Sequence, residues 1–200
     1  MGCRSRLYDL LPCCLCKGDA WFAWAMVAET SRGIADAGGS LGLGLTQVEK
    51  YQQSLIKCFK AKLNKTAVIY ERNTPSQVGQ VHCHMQVVPV PAELEDKIPQ
   101  HIMECGAQCN IEFEPKPQWR DEEDLEHYVV YEVPSSKNTL LHKIPPGQRH
   151  PLNFAREVVA NLLGMPDRAD WKNCSLSVEE ETETANKFKE LFREFDWSLQ

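Results

Sequence analysis

Apolar residues at helical spacing predict a helix over residues 46 to 64. Thr46 and Glu49 match a capping box, in which a hydroxyl and a carboxylate satisfy the exposed backbone N–H groups of a helix start. Asn64 is a residue at which helices commonly end, because it tolerates the left-handed conformation of a C-terminal cap. The apolar stripe between these ends consists of Val48, Tyr51, Leu55, Phe59 and Leu63.

A change of pattern after this helix predicts an antiparallel hairpin. Residues 66 to 72 are rich in β-branched and aromatic side chains, and residues 73 to 79 carry the Pro, Ser and Gly of a turn. Residues 81 to 88 form the second predicted strand. We expect it to stop at Pro89 and Pro91, because proline cannot donate to a strand ladder.

The remaining chain predicts a second hairpin between helices. Residues 92 to 104 are predicted to be helical, residues 105 to 126 irregular, and residues 127 to 144 a hairpin with its turn at 134 to 137. A further helix would begin at Pro151, and a second capping box at Ser177 and Glu180 would open the last one. The stripe of that last helix would be Ala185, Phe188, Phe192 and Phe195. These elements make the fold α+β, with the strands in antiparallel pairs.

Residues 1 to 45 show no sustained strand or helix period. They combine a cluster of cysteines with a Gly-rich stretch, and we expect a poorly ordered arm that ends in a flexible linker over residues 38 to 44. The apolar run at residues 20 to 28 is too short to cross a bilayer, so no membrane segment is predicted. The chain has nine cysteines, an odd number with irregular spacing, which is typical of a reducing compartment.

The net charge of −6 excludes a generic polyanion binder. Residues 46 to 72 nevertheless carry a local charge of +4, from six basic and two acidic side chains. Lys57, Lys60, Lys62 and Arg72 belong either to a solvated helix face or to a patch that steers phosphate groups. His142, Arg149 and His150 flank the second hairpin ahead of a helix start, where they form either a second phosphate contact or an exposed loop.

A histidine strand carries the candidate chemistry. In a strand alternate residues share a face, so His82, His84 and Gln86 line one side while Val81, Cys83, Met85 and Val87 line an apolar side. Three interpretations compete for the polar side. It is a row of half-exposed edge residues, a metal site, or a phosphodiester or nucleotidyl site in which an imidazole attacks phosphorus. A third metal ligand is not evident beyond Glu71 across the hairpin, so neither a metal nor a cofactor is predicted.

The wider sequence resembles two known patterns. Helix, strand, turn and His-φ-His-φ-Gln-φ-φ resemble the C-terminal half of a histidine-triad (HIT-like) domain whose third histidine is replaced, as in its uridylyltransferase branch. The segments VIYERN, HCHMQVVPVP, FAREVVANLLGMPDRADWKNC and FREFDWSL resemble the CwfJ C-terminal family. The resemblance begins near Thr46 and reaches Gln200. It implies an antiparallel HIT-like sheet with flanking helices, followed by a second small α+β region.

The resemblance also assigns roles and a domain order. His84 matches the nucleophilic middle histidine, His82 the first histidine and Gln86 the ligand-contacting third position. Residues 46 to 104 would form a partial HIT-like domain and residues 105 to 200 the second family region, behind a non-family arm over residues 1 to 45. Since full-length relatives carry an N-terminal metallophosphoesterase-like domain, we expect a truncated or aberrant form.

Two functions follow as hypotheses from the resemblance. The family acts in the nucleus beside the lariat debranching enzyme, which implies a non-enzymatic factor of pre-mRNA splicing and intron lariat turnover. Its partners would be the branched intron RNA, the debranching enzyme and the post-release spliceosomal complex. The alternative is a weak HIT-type nucleotidyl hydrolase or ribonuclease that uses His84 as its nucleophile.

Overall fold

The computed structural model describes residues 10–13, 23–26, 41–75, 81–119, 125 and 127–199, with the backbone alone for 10–13, 23–26, 41–48, 75, 81–84 and 171. The strands are β1 (Leu10–Cys13), β2 (Ala23–Met26), β3 (Lys65–Pro75), β4 (Val81–Pro91), β5 (Glu114–Pro115), β6 (Tyr128–Val133) and β7 (Asn138–Lys143). The α-helices are α1 (Leu41–Leu63), α2 (Ile98–Gln108), α3 (Phe154–Leu162) and α4 (Val178–Phe192). Shorter 3₁₀ helices lie at Ala92–Lys97, Pro166–Ala169, Trp171–Cys174 and Trp197–Leu199.

All described strands join one antiparallel sheet in the order β1-β2-β4-β3-β6-β7-β5. The confirmed α+β class thus comes with a sheet to which both family regions contribute, since β3 pairs with β6. The β3–β4 ladder is the longest and runs from Lys65↔Pro91 to Pro75↔Val81.

Helices cover both faces of this sheet. On one face, side chains of α2 and α3 bury Val68, Val88 and Val129 in the larger core. On the other face, α1 and α4 bury Ala67, Ile69, Met85 and Val87. Odd and even positions of β3 and β4 therefore enter different cores, which is the alternation expected of a strand. The apolar side predicted for β4 is confirmed at Met85 and Val87, which are almost fully buried.

Several sequence predictions match the structure closely. Asn64 ends α1 with a left-handed φ of 51°. The β6–β7 hairpin has its turn at the predicted place. Ser177 and Glu180 form the predicted capping box of α4, with Ser177 Oγ accepting from the Glu180 backbone N–H at 3.2 Å.

The segment predicted to be irregular begins inside a helix and contains a strand, since α2 ends at Gln108 rather than at residue 104 and β5 follows at Glu114–Pro115. The capping box predicted at Thr46 and Glu49 is wrong, because both residues lie inside α1.

Two helix starts and one strand end also differ from the prediction. α1 begins at Leu41, so part of the predicted linker is helical, because each interior glycine costs a helix only about 1 kcal/mol and does not end it. α3 begins at Phe154 behind a turn that starts at Pro151. β4 continues through Pro89 and Pro91. Because these prolines are two residues apart, their ring nitrogens, which cannot donate a hydrogen bond, face the same edge of the strand. The described pairing of β4 with β2 covers Val87 alone, so no described β2 partner requires a backbone donor from either proline.

Strands β1 and β2 lie within the segment expected to be poorly ordered. They pair with each other from Leu10↔Met26 to Cys13↔Ala23, and β2 meets β4 at Trp24↔Val87. These eight residues form strands where the side-chain pattern predicts none, because strand pairing needs backbone groups rather than a periodic sequence. Within the described residues, no helix combines the length and apolarity needed to cross a membrane.

A close contact near the end of α2 fixes the position of the loop at residues 111 to 113. Gly106 is buried, and its carbonyl oxygen accepts from the Ile111 backbone N–H at 2.8 Å. A Cβ atom placed on Gly106 would lie 2.5 Å from the Ile111 carbonyl oxygen and 2.9 Å from a ring carbon of Phe113. Glycine is therefore needed here to let the loop at residues 111 to 113 approach the helix.

We predict that Gly106→Ala destabilises the fold by about 1–3 kcal/mol, because the backbone of Ile111 must move. Helix propensity alone would give the opposite sign, a gain of about 1 kcal/mol. Urea unfolding measures the difference. The matched control is Gln108→Ala on the exposed side of the same helix, which should change stability by less than about 0.5 kcal/mol. A Gly106→Ala variant as stable as the control would show that the close contact is not limiting.

Candidate functional site

One row of residues crosses four strands on the α2–α3 face of the sheet. In register, His84 of β4 lies opposite Arg72 of β3, Arg72 opposite Val129 of β6, and Val129 opposite His142 of β7. Directly opposed residues of an antiparallel pair share a face. Three of the predicted site residues therefore lie in one line, although they are separated by up to 70 positions of sequence.

Arg72 is the charged centre of this row. Its side chain is half-buried, and its buried Nε atom has no hydrogen-bond partner among the described residues. Burial lowers the pKa of the Arg72 guanidinium below its ordinary value, yet an arginine stays charged in proteins. A buried donor without a partner is costly, and an anion is the acceptor that best suits a donor of a charged group.

The loop at residues 111 to 113 orients the His142 ring. Its Nδ1 donates to the Glu112 carbonyl oxygen at 2.8 Å, and its ring centroid lies 5.7 Å from that of Phe113. This hydrogen bond fixes the proton of the neutral ring on Nδ1 and leaves the lone pair on Nε2. The loop that Gly106 admits therefore holds His142 in place.

His150 reaches the same region from the loop after β7. The Gln148 backbone N–H donates to the Pro145 carbonyl oxygen at 3.0 Å, and Gly147 has a φ of 79°, which together form a tight Pro-Gly turn. The turn brings the His150 ring to 5.9 Å from that of His142 and edge-on to Phe154. His150 is only 8% exposed.

His150 is held neutral by its surroundings. Burial is the main cause that lowers its pKa to about 4, and the positive charge of Arg72 adds to the shift. Its Nδ1 donates to the Pro151 carbonyl oxygen at 3.0 Å, while its buried Nε2 has no partner among the described residues. The ring thus carries a lone pair that no described residue uses.

Gln86 lies in the next row, beside a pair of tyrosines. It opposes Tyr70, which opposes Tyr131 of β6, and the Tyr70 hydroxyl donates to Gln86 Oε1. This contact leaves the amide Nε2 as the end of Gln86 that can face a ligand. The Tyr131 hydroxyl is buried without a hydrogen-bond partner among the described residues, and burial raises its pKa well above the ordinary value.

The two tyrosines were missed by sequence analysis, although one signal was present. Tyr70 precedes Arg72 by two residues, so strand alternation already places both on one face. Tyr131 could not be found in this way, because its position depends on the pairing of β3 with β6.

The positions of His82 and His84 follow from the strand register, because the structure describes only the backbone at these two residues. His82 opposes Thr74, and this pair lies two residues closer to the hairpin turn than the His84–Arg72 pair. Glu71, the acid considered as a metal ligand, lies on the opposite face and accepts from the Tyr128 hydroxyl. No cluster of three metal-ligating side chains occurs among the residues that the structure describes.

The predicted lysines lie apart from this row. Lys57, Lys60 and Lys62 are on the outer, exposed side of α1, which covers the other face of the sheet. Lys62 pairs with Glu194 at 2.6 Å, between two exposed groups. Arg149 is exposed in the loop beside His150. The structure therefore brings together Arg72, His142 and the His84 position, but not the helix lysines.

Comparisons with known proteins agree on one family. A family model described as "Protein similar to CwfJ C-terminal" matches residues 44–103, and one described as "Protein similar to CwfJ C-terminus 2" matches residues 92–198. Arg72 and His84 fall in the first match, while His142 and His150 fall in the second.

Curated relatives come from animals, plants and yeast. CWF19-like protein 1 of Xenopus laevis is 35% identical over 163 residues, covering 77% of this chain and 28% of that protein. Zinc finger CCCH domain-containing protein 64 of Arabidopsis thaliana is 32% identical over 161 residues, covering 76% and 26%. CWF19-like protein mug161 of Schizosaccharomyces pombe is 27% identical over 154 residues, covering 77% and 26%. The chain spans about a quarter of the length of these relatives.

We predict that His150 makes the fold less stable as the pH falls. Above the unfolded pKa of about 6.5 both states are neutral and His150 contributes nothing. As the pH falls toward 4, the unfolded state binds a proton that the folded state does not, so the free energy of unfolding drops by about 2 kcal/mol between pH 7 and pH 5. Urea unfolding at pH 7, 6 and 5 measures this drop, and His150→Gln should remove that part of it. Equal drops in both proteins would contradict the assignment.

Proposed function

The chain belongs to the CwfJ C-terminal family, and on this premise we propose that it is a non-enzymatic factor of pre-mRNA splicing and intron lariat turnover. It acts in the nucleus by binding branched intron RNA, and it assists the lariat debranching enzyme on the post-release spliceosomal complex. Kinship with CWF19-like proteins supports the splicing-related role. The RNA contact is argued from the Arg72 row.

The observation that carries the RNA contact is the unsatisfied Nε atom of Arg72. This atom is buried without a partner among the described residues, and the row around it contains His142 and the backbone position of His84. A phosphodiester oxygen supplies the negative charge and the acceptor that this donor needs. Phosphate contacts also position a protein on RNA without reading its sequence, which suits a factor that acts on many introns.

Several features favour binding over catalysis. A triad mechanism needs a nucleophile and a group that moves the leaving-group proton. Gln86 stands at the third triad position, where an amide can neither accept nor release that proton at neutral pH. Its Oε1 is already engaged by the Tyr70 hydroxyl. This geometry suits an orienting contact.

One observation supports the alternative, a weak HIT-type hydrolase or ribonuclease. His84 opposes Arg72 in register, so a phosphoryl group held by the guanidinium would lie next to the strand position of the triad nucleophile. The helix lysines remain a second proposed contact, one that steers RNA toward the protein by charge from the other face of the sheet.

We predict that Arg72→Gln weakens RNA binding about 10- to 100-fold, because a charge-assisted hydrogen bond is lost. The slope of log Kd against log salt should fall by about one phosphate contact. Fluorescence anisotropy with branched and linear RNA of equal length measures both quantities. The charge-matched control is Lys137→Asn in the exposed β6–β7 turn, where φ is 55° and Asn is well tolerated. Equal losses in the two variants would refute a specific contact at Arg72.

A second prediction separates binding from catalysis. If the protein only binds, wild type should leave RNA and nucleotides intact in single-turnover assays, while it accelerates branched-RNA cleavage by added debranching enzyme. The acceleration should fall in Arg72→Gln and persist in Lys137→Asn. Cleavage by wild type alone that vanishes in His84→Ala would establish the hydrolase instead, because His84 is the only proposed nucleophile.

A further inference from the structure

Two unsatisfied nitrogen atoms from different family segments lie on the α2–α3 face of the sheet, where the register row joins Arg72 to His142 and the His142 ring lies 5.9 Å from that of His150. Nε of Arg72 comes from the first segment and Nε2 of His150 from the second, and both are buried without a partner among the described residues. Buried polar atoms without partners are uncommon in folded proteins, and these two share one face with the histidine of β7, which favours a ligand-binding site there.

The groups around His150 define the charge of that ligand. Arg72 acts on it from β3 and His142 from β7, while α3 contributes the uncharged ring of Phe154. Tyr131 of β6 and the position of His84 on β4 belong to the same face. None of the described side chains whose charge acts on His150 is an acid. The surroundings therefore select an anion with several acceptor oxygens.

We propose that His150 is a second ligand of a phosphate group bound at Arg72, and that binding adds one proton to its Nε2. This inference rests on the proposed function, since it uses the same contact at Arg72. In the neutral ring Nε2 carries a lone pair that would repel a phosphate oxygen. The proton taken from solvent turns that nitrogen into a donor, and Nδ1 keeps its bond to the Pro151 carbonyl oxygen.

Linkage gives this inference a distinctive signature. The free ring is neutral near pH 6, since its pKa lies at about 4. An anion beside it favours the imidazolium, so the bound state holds a proton that the free state lacks. Affinity for the anion must then fall as the pH rises, by up to about tenfold per pH unit while only the bound state is protonated.

The experiment uses two ligands that do not titrate between pH 5 and pH 8. Sulfate is a free tetrahedral oxyanion, and a tetramer of uridine carries phosphodiesters in an RNA backbone. Calorimetry at pH 6 in buffers of different ionisation enthalpy counts the protons taken up on binding. Competition between the two ligands then tells whether the site accepts a backbone phosphate or only a free anion.

We expect wild type to take up close to one proton with either ligand and His150→Gln to take up none. The affinity of that variant should not depend on pH. Lys137→Asn is the charge control and should keep the full uptake, since that turn lies at the other end of the β6–β7 hairpin. In wild type, NMR should show the His150 imidazole titrating at least three pH units higher with sulfate bound, which tests the inference without a substitution.

Failures of the two proposals are distinguishable. Wild type that binds neither ligand would overturn both. Binding without proton uptake, or uptake that survives in His150→Gln and disappears in His142→Gln or His84→Gln, would overturn the role of His150 and leave the contact at Arg72 intact. Uptake with sulfate, without competition by the uridine tetramer, would exclude an RNA backbone as the source of the phosphate.

Discussion

Strand β3 is covered by helices on both faces, and the other elements are arranged around this constraint. Its odd positions enter the core beneath α1 and α4, and its even positions enter the core beneath α2 and α3. It also pairs on both edges, with β4 from its own family segment and with β6 from the other. A slip of one residue would exchange the two faces, so the hydrophobic pattern fixes the register strongly.

Charged residues on such a strand have to find partners. Glu71 does so, because it accepts from the buried Tyr128 hydroxyl on the α1–α4 side. Its neighbour Arg72 points to the other side and leaves a buried donor unused among the described residues. Of these two adjacent residues, one is hydrogen-bonded within the fold and the other keeps a donor without a partner among the described residues. The acid is satisfied within the fold, whereas the arginine keeps the donor on which the proposed phosphate contact rests.

Local patterns made much of the fold predictable, and long-range pairing limited the prediction of the site. Alternation gave the hairpins and the buried side of β4, and the cap residues gave the start of α4 and the end of α1. The row from His84 to His142 depends on which strands pair and in what register, and no local pattern encodes this. The place of His150 depends on the path of a loop. The assignment of residues 46 to 104 and 105 to 200 to separate domains stays a prediction, because the sheet joins both segments.

The distribution of charge makes the proposed RNA contact at Arg72 different in kind from one at the helix lysines. The lysines of α1 lie on the same face of the sheet as α4, whose first turn carries Glu179, Glu180 and Glu181. Lys62 also forms an ion pair with Glu194 on this face. Such a surface attracts a polyanion weakly, and salt screens it. Arg72 instead sits in a half-buried, low-dielectric place where one phosphate gains more from the same charge. Under the proposed function, a contact of this kind would respond to how a single phosphate is presented, and a branch point presents its phosphates differently from a linear strand.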